Sequence, residues 1–93
     1  MKRFVYILQS IANPEKVYVG LTFNLERRLC EHNSGSQVYS RRYAPWRLVT
    51  WVTFTDAATA AAFEHYLKTP SGKAFMRKRL IAEASQTSTD EAT

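Results

Sequence analysis

The sequence predicts an α+β fold, in which a small three-stranded antiparallel sheet packs with helices in the order β-β-α-β-α-α. Two short runs rich in β-branched and aromatic residues come first, separated only by a short polar connection. Polar capping residues then precede segments with helical spacing of apolar residues. The chain of 93 residues is long enough for one domain with one core.

The first two strands are predicted at Arg3 to Gln9 and Lys16 to Leu21. The connection between them contains an asparagine followed by a proline, which are typical turn residues, so a hairpin is expected. In an antiparallel hairpin Tyr6 and Tyr18 lie on neighbouring strands and can share one face of the sheet. The ordinary interpretation of both tyrosines is packing of that sheet.

A helix is predicted to begin at the capping residue Asn24 and to end before Gly35. It carries Arg28 and His32, which stand four residues apart and therefore lie on one face, one turn from each other. Arginine offers a planar set of donors to phosphate oxygens, and histidine exchanges a proton near neutral pH. The two side chains can converge on one phosphate, although such a pair on a solvated helix face is commonly idle.

The rest of the chain begins with a polar, basic loop over Gln37 to Pro45. After it we predict a strand over Trp46 to Phe54, an alanine-rich helix capped by Thr55 or Asp56, running to about Leu67 or Lys68 and stopped by Pro70, and a last helix from about Ser71 to about Ala84. Residues 1–84 are expected to form the single domain. The composition of residues 85–93 predicts a disordered tail.

Thirteen basic against eight acidic residues give a formal net charge of +5. Without the last nine residues thirteen bases face six acids, a net charge of +7. Such a surplus attracts polyanions, so nucleic acid or an anionic membrane is the natural partner, with simple solubility as the alternative.

Compartment and membrane association follow from the apolar runs and the cysteine count. The apolar run after Arg3 is too short for a signal peptide or a membrane span, so no membrane partner is expected. The lone cysteine, Cys30, cannot form an internal disulfide, which fits a reducing compartment. We therefore expect a cytoplasmic protein.

Glu64 is the only acidic residue between Asp56 and Glu83. Most carboxylates on a helix surface have no function. In a basic nuclease, however, one carboxylate together with water and substrate phosphates can hold Mg²⁺, which prefers oxygen ligands and keeps part of its hydration shell.

Several segments together resemble the GIY-YIG nuclease domain over about residues 2 to 80. They are Phe4-Val5-Tyr6 on the first strand, Tyr18-Val19-Gly20 on the second, the helix from Asn24 to Gly35, and Glu64 followed by Tyr66-Leu67-Lys68. The similarity is strongest to short, stand-alone members. Phe4 and Val5 replace the glycine and isoleucine of the first family motif, and the chain has no asparagine after Asn33, where some members use one in the last helix region.

The resemblance implies an endonuclease with one Mg²⁺ or Mn²⁺ ion. Its implied catalytic residues are Tyr6, Tyr18, Arg28, His32 and Glu64, with Glu64 as the metal ligand. Arg28 is preferred to Arg27 because it stands eight residues after Gly20 and four before His32. The resemblance implies that a tyrosine or His32 helps to deprotonate water, while Arg28 offsets charge on the phosphoryl oxygens; the sequence leaves open which tyrosine is the base.

DNA is favoured over RNA as the partner, and low sequence specificity is expected because 93 residues leave no room for a recognition domain. Candidate nucleic-acid-binding residues are Arg27, Arg41, Arg42, Lys73, Arg77, Lys78 and Arg79. One alternative is a non-catalytic nucleic-acid-binding module on the same fold. Another is an interaction protein that presents Trp46, Trp51 and Phe54 to a partner. The oligomeric state stays open.

Overall fold

The structure, a computed structural model, describes residues 2–81. Within this range the strands are β1 (Arg3–Ser10), β2 (Val17–Thr22) and β3 (Trp46–Phe54), and the helices are α1 (Leu25–Ser34), α2 (Val38–Arg41), α3 (Ala57–Leu67) and α4 (Pro70–Arg79). The predicted α+β class and the predicted antiparallel hairpin are confirmed. None of the helices in this range is both long and apolar enough to cross a membrane.

The three strands form one antiparallel sheet in the order β2-β1-β3, so β1 is central. Tyr6 on β1 lies directly opposite Gly20 on β2 and Trp51 on β3. Because side chains alternate between the faces of a strand, these three positions form one row on one face of the sheet. In the described part of the chain β2 pairs only with β1, and its other side is a sheet edge.

Helices cover both faces of the sheet. On the α1 face, defined by Tyr6, Leu8 and Trp46, the core includes partly buried apolar residues of α1. On the opposite α3 face, the strand residues Val5, Ile7 and Val19 pack with α3 and α4, which contribute Ala60, Leu67 and Met76. The odd and even residues of β1 therefore belong to two separate cores.

The structure corrects three predicted boundaries. The predicted loop over Gln37 to Pro45 contains a short helix, α2. The helix α3 ends at Leu67 as predicted, but the last helix begins at Pro70 and not at Ser71, because proline is favoured where the first helical N–H needs no acceptor. The last helix ends at Arg79, before Ala84. The tail predicted at residues 85–93 lies outside the described residues.

Candidate active site

The Tyr6 ring lies across the backbone of Gly20 on the neighbouring strand. A β-carbon placed on Gly20 would stand 2.3 Å from the Tyr6 hydroxyl oxygen and 2.4 Å from Cζ of the same ring. Such distances are far below van der Waals contact, so only glycine leaves room for the phenol. The structure thus explains this glycine by the close approach of a side chain.

A buried hydrogen-bonded chain joins Tyr6, His32 and Ser40. The Tyr6 hydroxyl is 3.1 Å from Nε2 of His32, and Nδ1 of the same imidazole is 2.6 Å from Oγ of Ser40. All three side chains are buried. Their positions depend on three elements, since β1 supplies the tyrosine, α1 the histidine and α2 the serine.

Burial sets the protonation of the first two groups in this chain. Loss of solvation raises the pKa of Tyr6 above its ordinary value, and Tyr18 raises it further, while the charge of Arg28 opposes the rise. Burial lowers the pKa of His32, and Arg28 lowers it further. Near neutral pH the hydrogen-bonded chain therefore contains a protonated phenol, that of Tyr6, beside a neutral imidazole, that of His32.

The same charge distribution favours one tautomer of His32. Arg28 is a hydrogen-bond donor only, so a guanidinium near the phenolic oxygen leaves the Tyr6 O–H free to donate to Nε2 of His32. A neutral imidazole that accepts at Nε2 carries its proton at Nδ1 and donates it to Ser40. In the hydrogen-bonded chain, the Tyr6 hydroxyl is then the donor to His32, and His32 is the donor to Ser40.

Tyr18 and Arg28 complete this side of the site. The Tyr18 ring packs beside the imidazole of His32, with 4.6 Å between ring centroids, and lies 6.2 Å from the Tyr6 ring. Nε of Arg28 is 3.1 Å from a carboxylate oxygen of Glu31, but the contact is not aligned as a hydrogen bond. In the part of the chain that is described, this buried donor lacks a hydrogen-bond partner, although the Glu31 carboxylate lies beside it.

Glu64 is the one predicted catalytic residue that belongs to α3. It stands on α3, which packs on the α3 face of the sheet, whereas the tyrosines and His32 lie on the α1 face. Its carboxylate is 2.6 Å from Nζ of Lys68, one helical turn later. The structure therefore brings Tyr6, Tyr18, Arg28 and His32 together, while Glu64 comes from a helix that covers the other face of the sheet.

The side chains of the candidate site fit a metal ion that takes most of its ligands from water and phosphate oxygens. Between residues 2 and 81, no three His, Cys, Asp or Glu side chains cluster as a metal site would require. Glu64 is a half-buried oxygen donor, and one such carboxylate is a common protein contribution to a magnesium site that keeps several waters. The Lys68 ammonium contacts the Glu64 carboxylate, to which a metal ion would bind.

A groove runs along the edge of β2 and is lined by residues from both faces of the sheet. It has a volume of about 330 Å³. Tyr18 and Tyr39 line it from the α1 face, and Lys68, Lys73 and Arg77 line it from α3 and α4. The groove is therefore basic on one side and aromatic on the other.

The predicted nucleic-acid-binding residues do not form one surface. Arg41 and Arg42 are exposed at the end of α2, and Arg27 is exposed on α1, where it forms an ion pair with Glu31 and stacks over Phe23. The basic residues of α4 divide between two concave surfaces: Lys73 and Arg77 line the groove at β2, while Lys78 and Arg79 line a different depression beside β3.

The three aromatic residues of the interaction-protein alternative have different environments. Trp46 is buried in the core of the α1 face, and its indole N–H donates to the backbone oxygen of Ser40. Phe54 is half-buried and packs against the core of the α3 face. Only Trp51 is exposed among these three, so they do not form a joint surface.

Sequence reasoning missed three residues that the geometry now connects to the site. Ser40 lies in the segment predicted as loop and has no motif around it. Glu31 was overlooked although its spacing of three residues from Arg28 allows an ion pair on one helix face. Lys68 follows Glu64 by four residues, which is the spacing of a stabilising helix pair and could have been read from the sequence.

Most of this chain is similar to known proteins. The sequence model described as the GIY-YIG catalytic domain matches residues 2–79. A UPF0213 protein of Natronomonas pharaonis is 37% identical over 81 residues, which cover 86% of this chain and 91% of the relative. The solution structure of a UPF0213 protein from Bacillus halodurans matches with a TM-score of 0.52 and 30% identity, covering 84% of each chain.

A longer relative is also similar. The structure-specific endonuclease subunit SLX1 of Debaryomyces hansenii is 34% identical over 73 residues, which cover 71% of this chain. The aligned part is 21% of that protein, so this chain corresponds to about a fifth of its length.

Proposed function

Because this chain belongs to the GIY-YIG catalytic domain family, we propose that it is a metal-dependent endonuclease that hydrolyses phosphodiester bonds in DNA. The observation that carries the proposal is the buried chain from Tyr6 through His32 to Ser40 with the Arg28 guanidinium beside it. A structural role alone would not require a guanidinium next to a phenol and a neutral imidazole.

The substrate is proposed to be branched or flapped DNA, cut with low sequence specificity. The relative from Debaryomyces hansenii is named as a subunit of a structure-specific endonuclease, which supports this choice. Low specificity follows from the type of side chain available, since arginine and lysine contacts to phosphates position a nucleic acid without reading its bases. The cytoplasmic location predicted above stays a prediction.

The proposed chemistry begins with a water that approaches the scissile phosphorus next to the Tyr6 hydroxyl. As the water oxygen bonds to phosphorus, the bond from phosphorus to the leaving oxygen breaks, one water proton passes to the Tyr6 oxygen, and the Tyr6 proton passes to Nε2 of His32. The leaving oxygen then takes a proton from solvent water. The protonated Tyr6 is thereby a relay rather than the final base, which agrees with the raised pKa of its hydroxyl. His32 accepts the proton while its Nδ1–H donates to Ser40.

Arg28 is proposed to stabilise the negative charge that grows on the phosphoryl oxygens. A guanidinium suits this task because its planar donors match phosphate oxygens, and a partly desolvated site strengthens the attraction. A bound phosphate would compete with Glu31 for this guanidinium. Tyr18 packs against the imidazole and keeps the ring in place.

Glu64 is proposed to hold one Mg²⁺ or Mn²⁺ ion together with water and substrate phosphate oxygens. Such an ion supplies stabilisation of the charge on the leaving oxygen when it is bound. Lys68 must then release the Glu64 carboxylate, and because Lys68 lines the β2 groove, a phosphate bound there can replace the carboxylate as its partner.

The test is cleavage of labelled flap, branched, duplex and single-stranded DNA, and of RNA, in Mg²⁺ or Mn²⁺. We expect metal-dependent products from the wild type that are lost with Arg28→Ala and with Glu64→Gln. Arg27→Ala is the matched control, because it removes the neighbouring charge from the exposed side of the same helix. Full cleavage by Arg28→Ala or Glu64→Gln would contradict the role given to that residue.

A non-catalytic binding module is the second candidate. One observation favours it, namely that both proposed site charges already have protein partners, Arg28 with Glu31 and Glu64 with Lys68. Binding that weakens steeply with salt, without products from any substrate in either metal, would establish this second function.

A further inference from the structure

The groove at the edge of β2 adjoins the candidate active site because Tyr18 belongs to both. We propose that this groove binds a single-stranded segment of the nucleic acid, on one side of the phosphate that is cut. The proposal rests on the proposed function for the choice of ligand, and it adds a binding path that the resemblance does not assign.

Charge is the first support for this path. Lys16, Lys68, Lys73 and Arg77 all line the groove, and Glu15 is the only acid among its lining residues. Lys68 is held by Glu64, and Arg77 donates to the backbone oxygen of Glu15. Lys16 and Lys73 form no ion pair with another described residue, so they are the cations best placed to bind phosphates.

Aromatic surface is the second support. The Tyr39 side chain is 58% exposed and is 6.0 Å from the Tyr18 ring, centroid to centroid. A basic groove with an exposed aromatic ring is the usual arrangement for binding a single strand, because the backbone follows the charge while unpaired bases stack on the ring. The bases of a duplex are already stacked on each other and cannot use Tyr39 in this way.

The position of the groove is the third support. It lies along the unpaired edge of β2, where Tyr18 stands on the α1 face and the α4 side chains reach in from the other face. A strand that leaves Tyr18 along this edge passes from the tyrosine side of the sheet to the basic side of α4. Lys78 and Arg79 lie on the other side of α4 and would not touch it.

The test is binding of a short fluorescent single-stranded oligonucleotide to the full chain in EDTA, so that no cleavage occurs, measured by anisotropy over a range of salt concentrations. For the double variant Lys16→Gln/Lys73→Gln we expect the slope of log affinity against log salt to decrease in magnitude by about 1.4, because each phosphate contact to a single strand contributes about 0.7. Lys78→Gln/Arg79→Gln removes the same charge outside the groove and should change the slope less than the groove variant does.

Tyr39 is tested separately, because stacking depends little on salt. Tyr39→Ser should weaken binding of the single strand by about tenfold, whereas Tyr39→Phe should retain it, since the ring and not the hydroxyl carries the stacking. The proposal is overturned if Tyr39→Ser binds like wild type, or if the groove and control double variants change the salt slope equally.

These results are independent of cleavage. Absence of cleavage in every metal, together with groove-dependent binding, would refute the proposed endonuclease and leave the binding path standing. Cleavage that is intact while the groove variants bind like wild type would refute only the path. Thermal unfolding of each variant confirms that the exposed substitutions leave the fold in place.

Discussion

At the residue scale, the Tyr6 ring occupies the space above Gly20 that a side chain would fill. We predict that Gly20→Ala moves the phenol away from Nε2 of His32 and lowers kcat by about a hundredfold, the usual effect of misplacing a catalytic group by about 1 Å. The assay is cleavage by the variant under saturating substrate.

The control for Gly20 is Val19→Ala, which shortens a side chain of the same strand that faces the opposite core. It should reduce stability rather than turnover. A Gly20→Ala variant that unfolds like wild type and cuts at the wild-type rate would show that the position of the Tyr6 hydroxyl does not matter for the reaction.

His32 predicts a pH dependence of stability. Its pKa is lowered in the folded protein, so the unfolded chain, with an ordinary value of about 6.5, binds a proton more readily. As the pH falls below about 6.5, the free energy of unfolding should therefore decrease, by at most about 1.4 kcal/mol per pH unit for this one proton. Above about pH 6.5 the contribution of His32 to the free energy of unfolding is constant.

The measurement is urea unfolding between pH 5 and 8 for wild type and His32→Gln. Glutamine cannot take up a proton, so the slope below pH 6.5 should be smaller in the variant. The range avoids Asp56, whose lowered pKa, caused by hydrogen bonds from Thr59, places its titration at lower pH. Equal slopes in the two proteins would mean that His32 titrates alike in the folded and unfolded states.

At the element scale, α1 carries two site residues and depends on its ends for orientation. The Asn24 side chain accepts a hydrogen bond from the backbone N–H of Arg27, 3.0 Å away, and Gly35 ends the helix with a φ of 88° that suits glycine. Both ends were predicted from the sequence because capping is a local property of a few residues.

We predict that Asn24→Ala lowers the free energy of unfolding by about 1 kcal/mol, and that Asn24→Gly lowers it by only a few tenths. Glycine leaves the backbone amides of the first turn accessible to water, which alanine shields. Urea unfolding at pH 7 measures both. A loss from the glycine variant as large as that from alanine would place the effect in the backbone of this turn rather than in the lost cap.

The strands and most helix boundaries could be predicted for the same local reason. Strand order could not, because nothing in the composition of β1 shows that it becomes the centre of the sheet. The contact of Gly72 with α3 was equally hidden: a β-carbon there would lie 1.8 Å from the backbone oxygen of Tyr66. Such contacts arise only when two elements have packed.

The residues of the candidate site also divide into those that a local pattern predicts and those that depend on packing. Arg28 and His32 could be paired from their spacing on one helix, and the two tyrosines from the hairpin. Ser40 could not be predicted, because its hydroxyl reaches His32 only through the short helix α2, which the polar composition of its segment concealed. The position of Glu64 likewise depends on how α3 packs on the sheet, which no local pattern predicts.

At the scale of the whole molecule, the proposed metal ligand and the proposed phosphate-binding arginine belong to two different helices, and this arrangement predicts how metal and nucleic acid bind together. Glu64 offers one carboxylate, and Lys68 already neutralises it. The free protein should therefore bind Mn²⁺ weakly. Phosphate oxygens of a bound strand add ligands to the ion and attract Lys68, so the two ligands should strengthen each other.

We predict that a phosphorothioate oligonucleotide, which resists cleavage, raises the Mn²⁺ affinity by about tenfold or more, and that Mn²⁺ raises the affinity for the oligonucleotide by the same factor, as linkage requires. Isothermal titration measures the first and fluorescence anisotropy the second. Glu64→Gln should remove the coupling in both directions. Lys68→Gln frees the Glu64 carboxylate and should raise the Mn²⁺ affinity of the free protein. Tight Mn²⁺ binding to the free wild type that survives Glu64→Gln would place the ion elsewhere in the molecule, and the pairing of Glu64 with Lys68 would then have no part in metal binding.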